Sequence, residues 1–323
     1  MSEPKRSGRR RPVLRRDPLG PRPPFRVLAM TIGLPLLAFL AFVLYQWFAA
    51  KAPSLPAAKP PKASEARATP KSPATAPRRG TPPAATPVTR RHGTIALILD
   101  DVGYDIAAAR RAAALGVPLS FSVLPGTPHA ADAANYLAGR GFQILCHLPM
   151  EPEGYPRTSP GDGAILTSMS DDEIRRRTVA LLRDIPHAAG VNNHMGSVAT
   201  ADGRVMENVL AALRDEGVFF IDSRTTAKSV AIPVARDVGI PRGERSVFLD
   251  DDRSEGAIRQ QLARLADAAA GGRTAIGIGH LYPTTLRVLE QELPRLRRQG
   301  FRFVTAGNAL EGEVRREPGV GSR

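Results

Sequence analysis

One cysteine, Cys146, stands in 323 residues, so no internal disulfide can staple the chain. Set in an apolar run, it reads as a small core residue rather than a nucleophile. Aromatic residues make up 5% of the sequence and do not interleave with a basic surface pattern, which removes nucleic acid as a partner. No Gly-x-Gly-x-x-Gly or P-loop spacing follows the first strand-like run, and this counts against nucleotide-binding versions of an α/β fold. No heptad pattern occurs outside one long apolar stretch. Acidic residues are scarce over the first 91 positions, where 3 Asp/Glu face 18 Lys/Arg, while the remainder holds 28 against 27. The formal net charge of +14 therefore reports a basic leader, and the globular part is close to neutral.

That leader has an internal plan. Residues 27–50 are almost wholly apolar and uncharged, matching the ~20 residues a membrane-spanning helix needs. Arg9, Arg10, Arg11, Arg15, Arg16, Arg22 and Arg26 precede the stretch, and Tyr45 and Trp47 sit near its far end. The positive-inside rule and the interfacial preference of aromatics then give a single-pass anchor with a cytoplasmic N-terminus. A cleaved signal peptide is the competing reading, on the loose Ala-x-Ala pattern at Ala50-Lys51-Ala52, but signal h-regions run only ~7–15 residues. The expected organisation is a basic tail over 1–26, the anchor over 27–50, a disordered linker over 51–92, a globular domain over 93–311 and a disordered tail over 312–323. The linker is rich in Pro, Ala, Ser, Thr and Lys, with too few large apolar side chains to offset its ordering entropy. A bacterial inner-membrane protein with its domain in the periplasm is the predicted localisation, with envelope proteins left open as partners.

Within 93–311, apolar strand-like runs alternate with helical patterns. Ile95 to Leu99, set between Gly93 and Gly103, reads as a buried parallel strand. Further strands are expected near 119–124, 142–146, 188–191, 218–221, 246–249, 274–278 and 301–304, with helices between most of them. Ser170 with Glu173 three residues later has capping-box spacing and opens the helix expected over 171–182. Seven or eight such units predict an α/β fold, specifically a distorted (β/α) barrel of seven to eight parallel strands; a doubly wound open sheet is the alternative.

The first strand runs into Asp100-Asp101, bringing two adjacent carboxylates to a strand's C-terminal end, where α/β folds place their chemistry. Neighbouring side chains on a strand face opposite ways, so the pair can divide cation binding from proton handling. The plainer reading is that they cap the next helix. His147, His194, Asp222 and His280 stand at the ends of later strands and would converge with them on one barrel mouth. Two histidines and a carboxylate are a common ligand set for a divalent metal with an open position. Three of the chain's six histidines falling at strand ends is hard to reconcile with scattered structural roles.

Five segments, in order across 93–311, resemble the divergent polysaccharide deacetylases. They are Leu99-Asp100-Asp101-Val102-Gly103, His147-Leu148-Pro149-Met150-Glu151-Pro152, Asn192-Asn193-His194-Met195-Gly196-Ser197, Ile221-Asp222-Ser223-Arg224-Thr225 and Gly279-His280-Leu281-Tyr282-Pro283. The resemblance implies a distorted barrel, a divalent metal (Zn²⁺ foremost) and hydrolysis of an acetamide on an N-acetylated glycan or peptidoglycan fragment. Ordinary members carry a His-x-x-x-His metal pair after the third strand, and here that spacing reads His147 to Glu151. The implied ligands are therefore Asp101, His147 and, from the next strand, His194, with Glu151 as a fourth. Asp100 would take a proton from the attacking water and His280 would donate one to the leaving amine. Asp222 would hold His280 cationic, although a helix-capping role fits it equally. The usual Arg-Pro-Pro motif is replaced by Asn192-Asn193-His194, which places Asn192 and Asn193 toward the substrate and leaves Arg224 to orient the base. The long loop 152–163, carrying Tyr155, is the expected substrate cover or else an irregular connection.

A membrane-anchored carbohydrate de-N-acetylase is thus the first functional expectation. A non-catalytic glycan-binding or scaffold protein on a retired deacetylase fold is the second. A phosphoester hydrolase is disfavoured, because the expected mouth offers only Arg224 and Lys228 to a phosphate.

Overall fold

The Ile/Leu run after Gly93 becomes the central strand of an all-parallel sheet. The structure is a computed structural model that describes residues 93–314, with side chains to 311. The tail, anchor and linker expected over 1–92 lie outside the described residues, and among the described residues no helix is long and apolar enough to cross a membrane. The strands are β1 (Thr94–Val102), β2 (Ser120–Val123), β3 (Gln143–Met150), β4 (Ala188–Met195), β5 (Phe219–Asp222), β6 (Arg242–Glu244), β7 (Val247–Phe248), β8 (Thr274–His280) and β9 (Arg302–Val304). The helices are α1 (Ile106–Ala113), α2 (Ala130–Ala138), α3 (Asp171–Arg183), α4 (Gly203–Asp215), α5 (Ala231–Val238), α6 (Glu255–Ala269), α7 (Pro283–Arg298) and α8 (Ala306–Val314). The sheet order is β6-β5-β4-β3-β2-β1-β8-β7, with β9 pairing the start of β1.

β6 and β7 lie at opposite ends of this order yet are separated only by Arg245 and Ser246. The sheet must therefore curl until its ends meet in one run of chain. Residues 242–244 register with β5, and the Arg245 N–H still donates to the Asp222 carbonyl at 2.9 Å. From the next residue the bonds go to β8, with Ser246 N–H on Ile276 O and Leu249 N–H on Ile278 O, both at 2.8 Å. One extended segment thus changes neighbours midway and forms a seam. The result is a curled, parallel, distorted β/α barrel.

Alternation along each strand sorts the side chains between two cores. Ile95, Leu97 and Leu99 face outward and pack with the helices, as do Phe121, Cys146, Val191 and Phe220. Ala96, Ile98, Leu145, Phe219, Ile221, Ile276 and Ile278 face inward and form a smaller cluster closed off by Ala306, Ala309 and Leu310 of α8. The Ser120 hydroxyl on the inner face of β2 accepts the Ala306 N–H at 2.9 Å, which seats the start of that helix. Helices α5 and α8 fall outside the expected alternation: α5 is short and carries Pro233 in its first turn, and α8 runs to Val314, past the domain end expected at 311.

Ser170 caps α3 as expected, accepting the Glu173 N–H at 3.3 Å, but only half of the capping box forms, since the Glu173 carboxylate turns to Arg177 at 3.2 Å. Gly190 on β4 is required by contact rather than by conformation. A Cβ there would lie 2.3 Å from the Phe219 ring inside the barrel. Gly190→Ala is expected to destabilise the fold by about 1–3 kcal/mol through overpacking. A shift of the denaturant midpoint without change of slope would check this.

Candidate metal centre

The inward column of each strand ends in a polar residue at the barrel's C-terminal mouth. Ala96 and Ile98 lead to Asp100, Leu145 to His147, Gly190 to Asn192 and His194, and Ile276 and Ile278 to His280. Asp100 and His280 are register partners on neighbouring strands. By alternation Asp101 would face the helices. Instead its backbone takes φ 57°, at a register shift between β1 and β2, and its carboxylate turns to the same mouth as Asp100. Both carboxylates therefore share one site. Neither caps α1, whose cap is Asp105, accepting the Ala107 and Ala108 N–H groups at 2.8 and 3.0 Å.

Asp101, His147 and His194 each offer one atom to a common point, with these atoms all within 4.8 Å of one another. Asp101 Oδ1 lies 3.4 Å from His147 Nε2 and 3.2 Å from His194 Nδ1, yet it is a buried oxygen without a properly directed hydrogen-bond partner. An orphaned buried carboxylate oxygen is costly, and a cation between it and two imidazole nitrogens removes that cost. The donor set fits a divalent metal.

Asn192 fixes the surroundings. Its Oδ1 faces His147 Nδ1 at 2.9 Å and also accepts from the Ser122 hydroxyl, while its Nδ2 donates to Asp100 Oδ1 at 2.9 Å and to Ser223 Oγ at 3.1 Å. With the proton on His147 Nδ1, the Nε2 lone pair is left for the cation, the outer-shell arrangement typical of metal-binding histidines. Burial disfavours a charged His147 ring, but Asp100 and Asp101 outweigh it and raise its pKa to about 9. For Asp101, burial opposes ionisation and the two rings prevail, holding the carboxyl below the usual range. For Asp100, burial prevails and raises the pKa despite His147 and His280 nearby.

His280 Nδ1 meets Asp250 Oδ1 at 2.9 Å, and its Nε2 stands 3.7 Å from Asp101 Oδ2. Asp250 is anchored in turn, with Oδ2 accepting the His280 backbone N–H and the Thr285 hydroxyl, both at 2.7 Å. Burial disfavours the His280 cation, but Asp250, then Asp100 and Asp101, raise its pKa. The carboxylate on His280 is thus Asp250, which corrects the expectation for Asp222. Asp222 follows inward-facing Ile221 and so points to the opposite side, where Oδ1 accepts the Arg224 N–H and Oδ2 the Ser229 hydroxyl, both at 2.7 Å. Its role is to shape the loop after β5.

Glu151 also stands apart from the ligand cluster. β3 ends at Met150, and Glu151 Oε2 instead accepts the Thr167 N–H at 2.6 Å and its hydroxyl at 2.8 Å. Glu151→Ala is expected to leave the bound-metal content unchanged while costing about 1–3 kcal/mol from the two unsatisfied Thr167 donors. Metal analysis beside thermal unfolding checks both halves.

Asn193 ties β4 to the next loop, its Oδ1 accepting the Ser223 N–H at 2.8 Å and its Nδ2 donating to Met195 O at 2.8 Å. It lines the open cavity of about 730 Å³ over the site, together with Arg224, Arg245, Phe248 and the metal trio. Tyr155 is 41% exposed and is not among the residues lining that cavity. Asp250, Arg245 and Ser122 belong to the site without having been read from the sequence. For Asp250 a signal exists: Phe248-Leu249 leads into Asp250-Asp251 as Ile98-Leu99 leads into Asp100-Asp101.

A parallel β/α barrel here carries an Asp/His/His cluster that could hold a metal ion at its C-terminal mouth, the end where such folds place their sites. Residues 97–310 match the family described as divergent polysaccharide deacetylase, and the chain belongs to that family. It is 36% identical over 199 residues to the uncharacterized protein YibQ of Escherichia coli K12, covering 62% of each chain. An uncharacterized Haemophilus influenzae Rd protein is 33% identical over 219 residues, 68% of this chain and 77% of that one. The chain thus spans less than two thirds of the E. coli relative's length. The crystal structure of uncharacterized protein ATU2773 from Agrobacterium tumefaciens C58 shares the fold, with a TM-score of 0.62 at 22% identity over 68% of this chain and 92% of that one.

Proposed function

We propose that the protein is a metal-dependent carbohydrate de-N-acetylase of the bacterial cell envelope. On this reading it is anchored in the inner membrane by residues 27–50, with the barrel in the periplasm and an N-acetylated glycan, such as a peptidoglycan fragment, as substrate. The observation that carries the reading is the buried Asp101 Oδ1, set between two imidazole nitrogens without a directed hydrogen bond, with Asp100 beside His147 and His280 beside Asp101 Oδ2.

Asp101, His147 and His194 hold the cation, with Zn²⁺ the best match to two nitrogens and one carboxylate. When bound, such a cation supplies Lewis-acid polarisation of the acetamide carbonyl and makes water more acidic. Asp100 is the base. Asn192 donates to its Oδ1, so Oδ2, 3.5 Å from His147 Nε2, would receive the water's proton, and burial raises the carboxyl's pKa and with it its strength as a base. His280 carries the second proton on Nε2 and delivers it to the departing amine nitrogen, with Asp250 orienting the ring and favouring its cationic form. Water adds to the acyl carbon, the C–N bond breaks, and acetate and a free amine leave.

The test is metal analysis of the full-length protein together with acetate release from N-acetylglucosamine oligomers and peptidoglycan fragments. Near-stoichiometric divalent metal, with acetate release that a chelator abolishes and Zn²⁺ restores, is expected. Protein that takes up no metal and liberates no acetate would sink the reading.

A further inference from the structure

The cavity over the site is larger than one acetamide requires, and within the size range of sites that enclose whole ligands. Beyond the metal end its lining comes from the loop after β5, the barrel seam and α6, and this part carries three arginines: Arg224, Arg245 and Arg264. Arg245 Nε and Nη2 donate to the carbonyls of Ser223 and Arg224, at 2.6 and 2.9 Å. These bonds satisfy donors but neutralise no charge. Arg264 reaches only the uncharged Gln261, at 3.5 Å, and neither arginine has an ion-pair partner among the described residues. Arg224 stands 3.6 Å from Glu244 with both side chains partly exposed, a pairing of little strength. Away from Asp100 and Asp101, the one carboxylate lining this region is Asp251. Arg245 also faces the Asp222 and Asp251 carboxylates, so once a divalent cation offsets the two aspartates at the metal end, the positive charge left open on the wall is that of Arg264 and the loosely paired Arg224.

We infer that this wall is an anion subsite and that the substrates are acidic N-acetylated saccharides bearing a carboxylate close to the acetamido sugar. Arg224 and Arg264 bind the carboxylate. The inference rests on the de-N-acetylase reading and narrows its substrate class. A guanidinium's planar fork matches a carboxylate in two parallel hydrogen bonds. Phosphate sites usually add a helix N-terminus or a glycine-rich loop, whereas Gln261 and Arg264 project from within α6.

The experiment compares the full-length, metal-loaded protein's affinity for an oligosaccharide containing N-acetylmuramic acid with that for its carboxyl methyl ester, by calorimetry with acetate release followed in parallel. The free acid should bind at least ~10-fold more tightly at low salt, with the gap narrowing as ionic strength rises. Arg264→Gln should close the gap; Arg264 is exposed on α6, where surface substitutions rarely disturb folding. Equal affinity for acid and ester would overturn the subsite while leaving the glycan reading intact. An undiminished gap in both Arg264→Gln and Arg224→Gln would overturn the residue assignment. Inorganic phosphate displacing the acid form better than acetate does would overturn the choice of carboxylate. Failure of both saccharides to bind would overturn the subsite and the deacetylase reading together.

Discussion

Asp101→Asn should reduce bound divalent metal from stoichiometric to a small residue, at least ~100-fold weaker in affinity, with acetate release falling further still. The substitution keeps the shape and removes the one anionic ligand. Two neutral imidazoles and an amide oxygen make a far poorer set for a hard or borderline dication than two imidazoles and a carboxylate. Folding should survive, because the orphaned buried oxygen is itself a burden on the metal-free protein. Metal analysis after dialysis, with a circular dichroism spectrum as the folding control, decides the matter. Full metal occupancy in the variant would place the cation elsewhere.

Asp250→Asn is the second large effect, and it separates acid catalysis from metal binding. Asp250 touches none of the three ligands, so metal content should stay at the parent level. Turnover should drop by roughly 10²–10⁴, the usual worth of a positioned general acid. An asparagine cannot stabilise the imidazolium, and its amide nitrogen turned toward Nδ1 would hold a neutral ring with its proton on Nε2, a far weaker acid than the cation. The direction of the shift sets the sign of the pH effect. Asp250 raises the His280 pKa, so the catalytic proton is present below that value and lost as pH rises through it. Removing the carboxylate lowers that pKa, and the alkaline limb of the rate profile should move to lower pH. An unchanged limb would show that His280 is not the acid.

The sequence was most informative where an apolar run ends in a polar residue. Ile95 to Leu99, Ile144 to Cys146 and Ile276 to Ile278 carry enough apolar side chains to declare strands, and these strands end in Asp100, His147 and His280. Which face a terminal residue takes was harder to read. Asp222 sits at a strand end like the others, but β5 presents Phe219 and Ile221 inward, and one residue of parity sends Asp222 outward. Asp101 breaks parity the other way, because a positive φ at a strand irregularity cannot be inferred from the residues alone. Glu151 fits the His-x-x-x-His spacing, yet the strand has already ended and Thr167, sixteen positions away, takes its carboxylate. The strand expected near 246–249 is there as Val247–Phe248, but it supplies the apolar run without marking Asp250 as the partner of His280, a pair that only the fold brings together.

The seam bears on how the site is assembled during folding. The three candidate metal ligands come from β1, β3 and β4, which lie in one continuous stretch of sheet away from the joint. Asp250 and Arg245 belong to the segment that lies between β5 and β8 in sequence and pairs with both, whereas the pairings most distant in sequence join Thr94 of β1 to Thr274 of β8 and Arg302 of β9, and contacts of that range are the slow ones. Strands β1 to β4 pair with near neighbours in sequence and could gather the candidate ligands first, and a cation bound there would stabilise that stretch of sheet. His280 and Asp250 come from neighbouring segments, so on this order the ring would meet its carboxylate first and the pair would join Asp100 and Asp101 only when β8 docks on β1.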